Sequence, residues 1–206
     1  MKRAVLLIDG GYLRVNARNG GNTYNPDFIE TFAHCCPDDS EELLKVLYYD
    51  CRPYNGEVQK PISGETQVFE NSGNWLRDLS SRDLFAVREG QLKFRGWIPK
   101  KIPVSTRDLS DADFRPDLEQ KGVDMRIGID MARLAQTRQV ERVLLVSADT
   151  DMIPAMKEVR AANIQVVLCA LPVMRDRDKL RDELKAHADY VRPVTWPTAP
   201  VVSPSP

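Results

Sequence analysis

Short apolar runs that lead into aspartates are the most regular pattern along this chain. Residues 4–8 are all apolar and precede Asp9, and residues 142–147, which are mainly apolar, precede Asp149 and Asp151. Continuous apolar runs of this length are typical of strands that are buried on both faces of a parallel sheet. We predict further strands at 43–49, 164–169 and 190–193, and a hairpin at 84–97 that turns around Glu89 and Gly90.

Helical spacing of apolar residues occurs between these runs and predicts helices at 124–136, 154–162 and 178–188. The alternation of strands and helices predicts an α/β fold with a mostly parallel central sheet and helices on both faces. Two irregular stretches, at about 51–75 and 99–118, are interpreted as insertions, the first of them as a loop or short helix. The sequence thus predicts one domain over residues 1–193, followed by a proline-rich, extended and disordered tail over 194–206.

The overall charge is nearly balanced, with 29 basic and 30 acidic residues among 206 and a net charge of -1. This balance excludes a general attraction to nucleic acid, so any such site must arise from local charge. The cysteines lack the spacing of a metal site, and we interpret Cys51 and Cys169 as buried free thiols in a reducing cytoplasm. No apolar run approaches a membrane span and no signal peptide opens the chain, so we expect no membrane contact.

The aspartates at the predicted strand ends are the main candidates for chemistry. In open α/β sheets, sites form beyond the carboxyl ends of the strands, where the strand order reverses. If the first strand and the strand at 142–147 are neighbours, Asp9, Asp149 and Asp151 converge there. Clustered carboxylates repel one another unless a cation holds them, and hard oxygen ligands favour Mg²⁺ or Mn²⁺. The alternative is structural, because Asp9 could cap a turn and Asp149 and Asp151 could cap a helix.

A fourth carboxylate, Asp124, opens the helix predicted at 124–136. Asp130 follows six residues later and falls on a different face of that helix. We therefore assign Asp124 to the metal site and give Asp130 a supporting role.

A local excess of positive charge lies in residues 82–107, which contain seven basic and two acidic side chains. Basic side chains contact phosphates and aromatic rings stack on unpaired bases, so this stretch is a candidate RNA-binding surface. The alternative is a solvated hairpin whose aromatic residues belong to the core. Lys121, which precedes the helix at 124–136, could contact a phosphate, and Ser147 could hydrogen-bond Asp9 or a water on the metal. The candidates in the basic stretch are Lys93, Arg95 and Lys100, with Phe85, Phe94 and Trp97 as the rings.

Three ordered segments, at 7–13, 121–130 and 147–154, resemble the NYN domain family, in particular its LabA-like branch, within the PIN-like nuclease superfamily. A fourth segment at 184–190 matches more weakly. The resemblance implies a PIN-like α/β fold and a metal-dependent ribonuclease, usually endonucleolytic. Two positions depart from the pattern, since Tyr12 stands where many relatives have asparagine and Ala148 where many have glycine. The acidic set implied by the resemblance is Asp9, Asp124, Asp149 and Asp151.

The first hypothesis is therefore a ribonuclease that uses these aspartates and Mg²⁺ or Mn²⁺ to hydrolyse RNA, single-stranded or structured, and leaves a 5′-phosphate. The second is a catalytically silent regulatory module that binds RNA or a protein, and Tyr12 is the residue that motivates it. A third is a phosphatase or DNA nuclease that uses the same carboxylates. A homo-oligomer is compatible with all three.

Overall fold

The computed structural model describes residues 1–104, 108–173 and 175–197. Arg107 of the basic stretch and residues 198–206 of the predicted tail lie outside this part of the chain. Within the described residues, seven strands form one sheet in the order β6-β5-β2-β1-β7-β8-β9, and β3 and β4 form a separate hairpin. The strands are β1 Lys2–Asp9, β2 Glu41–Cys51, β3 Gly56–Gln59, β4 Thr66–Phe69, β5 Phe85–Pro99, β6 Phe114–Lys121, β7 Arg142–Val146, β8 Gln165–Ala170 and β9 Tyr190–Pro193.

Helices cover both faces of the main sheet. They are α1 Gly10–Asn19, α2 Pro26–Cys35, α3 Asn74–Ser80, α4 Val123–Thr137, α5 Ile153–Ala161 and α6 Asp182–Lys185, with short 3₁₀ turns at Asp111–Asp113, Thr150–Met152 and Asp176–Asp178. All strand pairs of the main sheet are parallel except β5 and β6. The predicted α/β fold with a mostly parallel central sheet is confirmed.

The central strand β1 shows why its sequence is continuously apolar. Val5 and Leu7 point into the core formed with α4 and α5, while Leu6 and Ile8 point into the core formed with α1, α2 and α3. Both faces of β1 are thus buried. The strand therefore has no alternation of polar and apolar residues, which is the pattern of a strand with one face exposed to water. The buried free thiols predicted at Cys51 and Cys169 are confirmed.

The predicted hairpin at 84–97 is wrong, because this region is one continuous strand. The first part of β5 pairs in parallel with β2 as far as Gly90, and the part from Gln91 onward pairs antiparallel with β6. A Cβ atom at Gly90 would lie 2.8 Å from the carbonyl oxygen of Lys121. The glycine therefore permits a close approach of two strands and does not mark a turn.

Two irregular stretches also contain regular structure. Residues 51–75 hold the β3–β4 hairpin, which was not expected, and the beginning of the short helix α3 at Asn74. Residues 99–118 include a 3₁₀ turn and the start of β6. Their status as insertions, and the domain bounds, stay predictions. The long helix predicted at 178–188 is wrong as well, since only Asp182–Lys185 is α-helical. Lys179 and Arg181 are extended, and this break places Leu180 in the core.

Among the described residues, no helix is both long enough and apolar enough to span a membrane.

Gly10 joins β1 to α1 at a position where a side chain has no room. A Cβ atom there would lie 2.4 Å from the Tyr48 hydroxyl oxygen and 2.8 Å from Oδ2 of Asp50, and both residues are buried. We expect Gly10→Ala to lower the free energy of unfolding by about 1–3 kcal/mol, measured by urea denaturation, because the core must shift to admit the methyl group.

Gly128→Ala is the matched control, since Gly128 lies inside α4 and its Cβ would meet its nearest neighbour, Ala155, at 4.0 Å. This change should raise the stability by up to about 1 kcal/mol through helix propensity. A Gly10→Ala protein as stable as the wild type would show that α1 does not depend on this close approach.

Candidate active site

The strands that carry the candidate aspartates are neighbours, as the sequence analysis required. β7 pairs in parallel with β1, from Ala4 opposite Arg142 to Ile8 opposite Val146. Strand order reverses between them, because β2, β5 and β6 extend the sheet on one side of β1 and β7, β8 and β9 on the other. Asp9 and Asp149 therefore leave adjacent strands at the switch point, where α/β sheets form their sites.

Asp9 ends β1 and caps α1. Its Oδ1 accepts a hydrogen bond from the amide of Tyr12 at 3.0 Å, which orients the carboxylate and satisfies one of the free amides of the helix. Desolvation, the amide of Tyr12 and the negative charges of Asp124 and Asp50 together set the pKa of Asp9 at about 6; desolvation and the two charges raise it, and the amide lowers it. Asp9 is thus a partly buried acid whose ionised form is disfavoured by its surroundings.

Asp124 lies in the first turn of α4 and is exposed. Desolvation raises its pKa, and the negative charges of Asp149 and Asp151 raise it further. Because Asp124 also acts on Asp9, it links the carboxylates that follow β1 to those that follow β7. All four carboxylates of the predicted set therefore belong to one electrostatic group.

Asp149 is held by the turn that follows β7. Its Oδ1 accepts from the amide of Asp151 at 2.9 Å and caps the 3₁₀ turn that begins at Thr150, so the predicted capping role is present beside any chemical role. Ser147 is buried, and its Oγ accepts from the amide of Asp149 at 3.2 Å. The predicted hydrogen bond from Ser147 to Asp9 is absent from the described residues, because the hydroxyl faces its own turn.

Asp130 lies apart from the cluster and is buried in an ion pair. Its Oδ2 accepts from the Tyr49 hydroxyl at 2.9 Å and from Nε of Arg88 at 3.0 Å. These contacts join α4 to β2 and β5. Asp130 therefore has a structural role and does not belong to the group of four carboxylates.

Tyr12 is anchored at the edge of the cluster. Its amide donates to Asp9, and its hydroxyl donates to the carbonyl oxygen of Asp178 at 3.0 Å. Burial and the charges of Asp178 and Asp9 raise the pKa of this phenol. The side chain therefore ties the segment at 176–178 to α1, next to Asp9.

A second set of polar groups beside Asp9 was missed in the sequence analysis. Asp50 lies at the carboxyl end of β2, is fully buried, and pairs with Nη1 of Arg14 at 2.5 Å. It also accepts from the Tyr48 hydroxyl at 3.0 Å, and Tyr48 in turn contacts the Tyr24 hydroxyl. The strand-end rule that selected Asp9 also applies to Asp50, which follows the apolar run at 43–49, and could have found it.

The proposed RNA-binding cations do not form one patch. Arg95 and Lys121 both pair with Glu119, at 2.9 and 3.3 Å, and Lys93 is exposed without an ion pair in the described residues. Lys121 lies opposite Gln91 at the base of the β5–β6 ribbon, while Lys100 follows its far end. The eight residue steps from Gln91 to Pro99 span about 26 Å, so Lys100 is remote from the carboxylates.

The aromatic residues of the basic stretch are packed against other parts of the protein. Phe85 belongs to the core, which agrees with the alternative interpretation for this residue and not with stacking on a base. Phe94 and Trp97 pack with Tyr54 and Phe69, with ring centroids 5.7–6.5 Å apart, and Nε1 of Trp97 donates to the carbonyl oxygen of Gln59 at 2.7 Å. These rings fasten the β3–β4 hairpin to the β5–β6 ribbon, and they lie outside both core clusters of the described residues.

The four carboxylates have the chemistry that a divalent cation requires, but their side chains are not placed to bind one together. They are hard oxygen donors, and the pKa values of Asp9 and Asp124 are raised by desolvation and, to a smaller extent, by neighbouring carboxylates, whose repulsion a cation would relieve. As placed in the described part of the chain, however, no three His, Cys, Asp or Glu side chains could hold a metal ion. Asp124 and Asp151 are exposed at the starts of their helical segments and are free to turn.

Comparison with known proteins gives one family and one similar structure. A family model described as the NYN domain matches residues 54–195, which include Asp124, Asp149 and Asp151 but not Asp9. The crystal structure of a protein of unknown function from Vibrio parahaemolyticus is similar, with 15% identity, a TM-score of 0.49, and coverage of 93% of this chain and 92% of that one. No curated protein matches.

The raised pKa of Asp9 predicts a cost to stability at neutral pH. Asp9 has a pKa of about 6 against an ordinary value of 3.8, so the folded state loses stability as the pH rises through this range, by about 3 kcal/mol in total. Asparagine is neutral and can still accept the Tyr12 amide. We expect Asp9→Asn, without divalent metal, to be more stable than the wild type at about pH 8 and to lose this advantage at about pH 4.

Urea denaturation at several pH values measures this difference. Asp39→Asn, at an exposed position just before the amino end of β2, is the matched control and should follow the wild type throughout. Equal stability of Asp9→Asn and the wild type at every pH would mean that the Asp9 carboxylate is not destabilised by its site.

Proposed function

The chain belongs to the NYN domain family, and from this premise we propose that it is a metal-dependent ribonuclease whose site is formed by Asp9, Asp124, Asp149 and Asp151. The family lies within the PIN-like nucleases. Hydrolysis of RNA, the LabA-like branch, the endonucleolytic mode and a cytoplasmic location are further parts of the proposal.

One observation carries this proposal: within the part of the chain that the structure describes, the four aspartates have no basic partner, whereas the buried Asp50 and Asp130 do. Asp50 pairs with Arg14 and Asp130 pairs with Arg88, so both are neutralised by the protein itself. In the described residues, Asp9, Asp124, Asp149 and Asp151 form no ion pair with lysine, arginine or histidine. Carboxylates without a basic partner, two of which have raised pKa values, form a site that a cation from solution would stabilise.

The four residues would bind that cation in two different ways. Asp9 and Asp149 each have one oxygen fixed by a backbone amide, so their second oxygens are held near the switch point. Asp124 and Asp151 are exposed, so their side chains would turn toward the cation when it binds. Mg²⁺ or Mn²⁺ bound there would lower the pKa of a water molecule and stabilise charge on the leaving oxygen. No side-chain nucleophile is required, and hydrolysis would leave a 5′-phosphate.

Lys121 supports the assignment of a phosphodiester substrate, because it lies three residues before Asp124. Its ammonium group pairs with Glu119 across a partly exposed contact, at 3.3 Å. Such a pair contributes little to stability and can exchange its partner for a phosphate. Lys93 and Arg95 lie farther along the same ribbon and would contact the strand beyond the cleavage site.

The second candidate is a module that binds RNA or a protein without cleaving it. Two observations favour it: no three carboxylates are placed to hold a metal in the described residues, and Tyr12 ties the segment at 176–178 across the edge of the cluster. If that segment does not move, the side chains would be unable to close around an ion.

We expect the purified protein to cleave RNA with Mn²⁺ or Mg²⁺, and Asp149→Asn to reduce the rate by about 100-fold or more, because one of the four ligands is lost. The measurement is gel analysis of single-stranded and structured RNA, with DNA and a phosphate monoester included to separate the nuclease from a DNA nuclease or phosphatase. Asp39→Asn is the control and should cleave at the wild-type rate. Equal cleavage by wild type and Asp149→Asn would indicate a contaminant and refute the site.

Metal binding can be measured independently of cleavage by calorimetry with Mn²⁺. We expect saturable binding to the wild type and to Asp39→Asn, and its loss in Asp124→Asn, since Asp124 links the two halves of the cluster. An absence of binding at millimolar Mn²⁺ would favour the silent module.

A further inference from the structure

A pocket of about 430 Å³ opens on the α1 side of the sheet, beside the buried Asp50. One wall is formed by Arg14 and Arg18 of α1. The opposite part is formed by aromatic and apolar side chains, chiefly Tyr24, Trp75 and Leu92. The pocket therefore combines positive charge and flat rings within a volume that suits a small part of a larger ligand.

The pocket is connected to the aspartate cluster by helix α1 and by the ion pair between Arg14 and Asp50. α1 begins directly after Asp9, and at 1.5 Å per residue Arg14 and Arg18 lie about 8 and 14 Å along the helix from it. Arg14 also pairs with Asp50, whose charge acts on Asp9. A ligand that passes the cluster along α1 would thus reach the pocket next.

The two arginines differ in what they can offer. Arg14 is largely buried and its charge is balanced by Asp50, so it mainly shapes the wall. Arg18 is exposed, and in the described part of the chain it forms no ion pair. Its guanidinium is free to form paired hydrogen bonds with a phosphate group, which is a contact that arginine forms well.

The aromatic wall is already fixed in place. Trp75 contacts Tyr24 and Tyr48 edge to face, with centroids 6.4 and 6.1 Å apart, and the Tyr24 hydroxyl bonds to that of Tyr48. A ring held in this way can stack on a base at little entropic cost, and such stacking serves every base alike.

Resting on the proposed function, we propose that this pocket binds one unpaired nucleotide of the RNA substrate next to the cleaved bond, with its base against Trp75 and its phosphate on Arg18. A base in a duplex is stacked between its neighbours and would have to leave the helix to enter the pocket. The protein should therefore prefer single-stranded over double-stranded RNA.

The test is the binding of a short fluorescein-labelled single-stranded RNA, measured by fluorescence anisotropy in EDTA so that no cleavage occurs. We expect Arg18→Ala to weaken binding about 3–10-fold and to reduce the dependence of log affinity on log salt by about 0.7, the share of one phosphate contact. We expect Trp75→Leu to weaken binding about 5–100-fold, as the loss of one stacked base does.

Two controls keep the test decisive. Trp75→Phe retains an aromatic face and should recover most of the affinity, which a fold defect in Trp75→Leu would not explain. Arg3→Ala removes an exposed arginine at the amino end of β1, opposite the site, and should bind as the wild type does.

The pocket and the nuclease proposal can fail separately. Wild-type affinity in Arg18→Ala and Trp75→Leu, or equal affinity for single-stranded and duplex RNA, would overturn the pocket even if Asp149-dependent cleavage is observed. Loss of affinity in both variants, with retained affinity in Asp149→Asn, would support the pocket even if no cleavage is found.

Discussion

The parallel pairing of β1 with both β2 and β7 is the constraint on which the site depends. It brings the carboxyl ends of three buried strands to one edge, and each of these ends leads into an aspartate: Asp9, Asp50 and Asp149. The side chains of β1 pack alternately into two separate cores, so a shift of the strand by one residue would move every side chain into the other core. The position of these acids at one edge is therefore fixed by packing on both sides of the sheet, and the repulsion between Asp50 and Asp9 is a consequence of the fold.

The acidic residues fall into two groups, which differ in whether the protein supplies a positive partner for the carboxylate. Asp50 and Asp130 are buried and each has an arginine and a tyrosine hydroxyl as partners, so they connect elements of the fold. The four candidate residues have no such partner in the described residues, and desolvation together with neighbouring charge raises the pKa values of Asp9 and Asp124. Stability lost in this way is typical of residues retained for chemistry.

The features that sequence analysis predicted are those that depend on local pattern. Apolar runs predicted β1, β7 and β8, and the aspartates that follow β1 and β7 marked the site edge. Asp124 was placed by its position at the start of α4. The contacts that were missed join residues far apart in sequence, such as Arg14 with Asp50 and Phe94 with Tyr54. Gly90 was misread because its role is a close approach to Lys121, and a glycine in a turn looks the same in sequence.

The proposed function depends on the acidic cluster, which has no basic partner among the described residues, and the proposed substrate contact depends on the basic and aromatic pocket along α1. The most direct measurement is a crystal structure grown with Mn²⁺ and recorded with anomalous diffraction. An anomalous peak enclosed by Asp9, Asp124, Asp149 and Asp151 is the predicted result. A map with no peak among these four carboxylates at saturating Mn²⁺ would contradict the assignment of the cluster as a metal site.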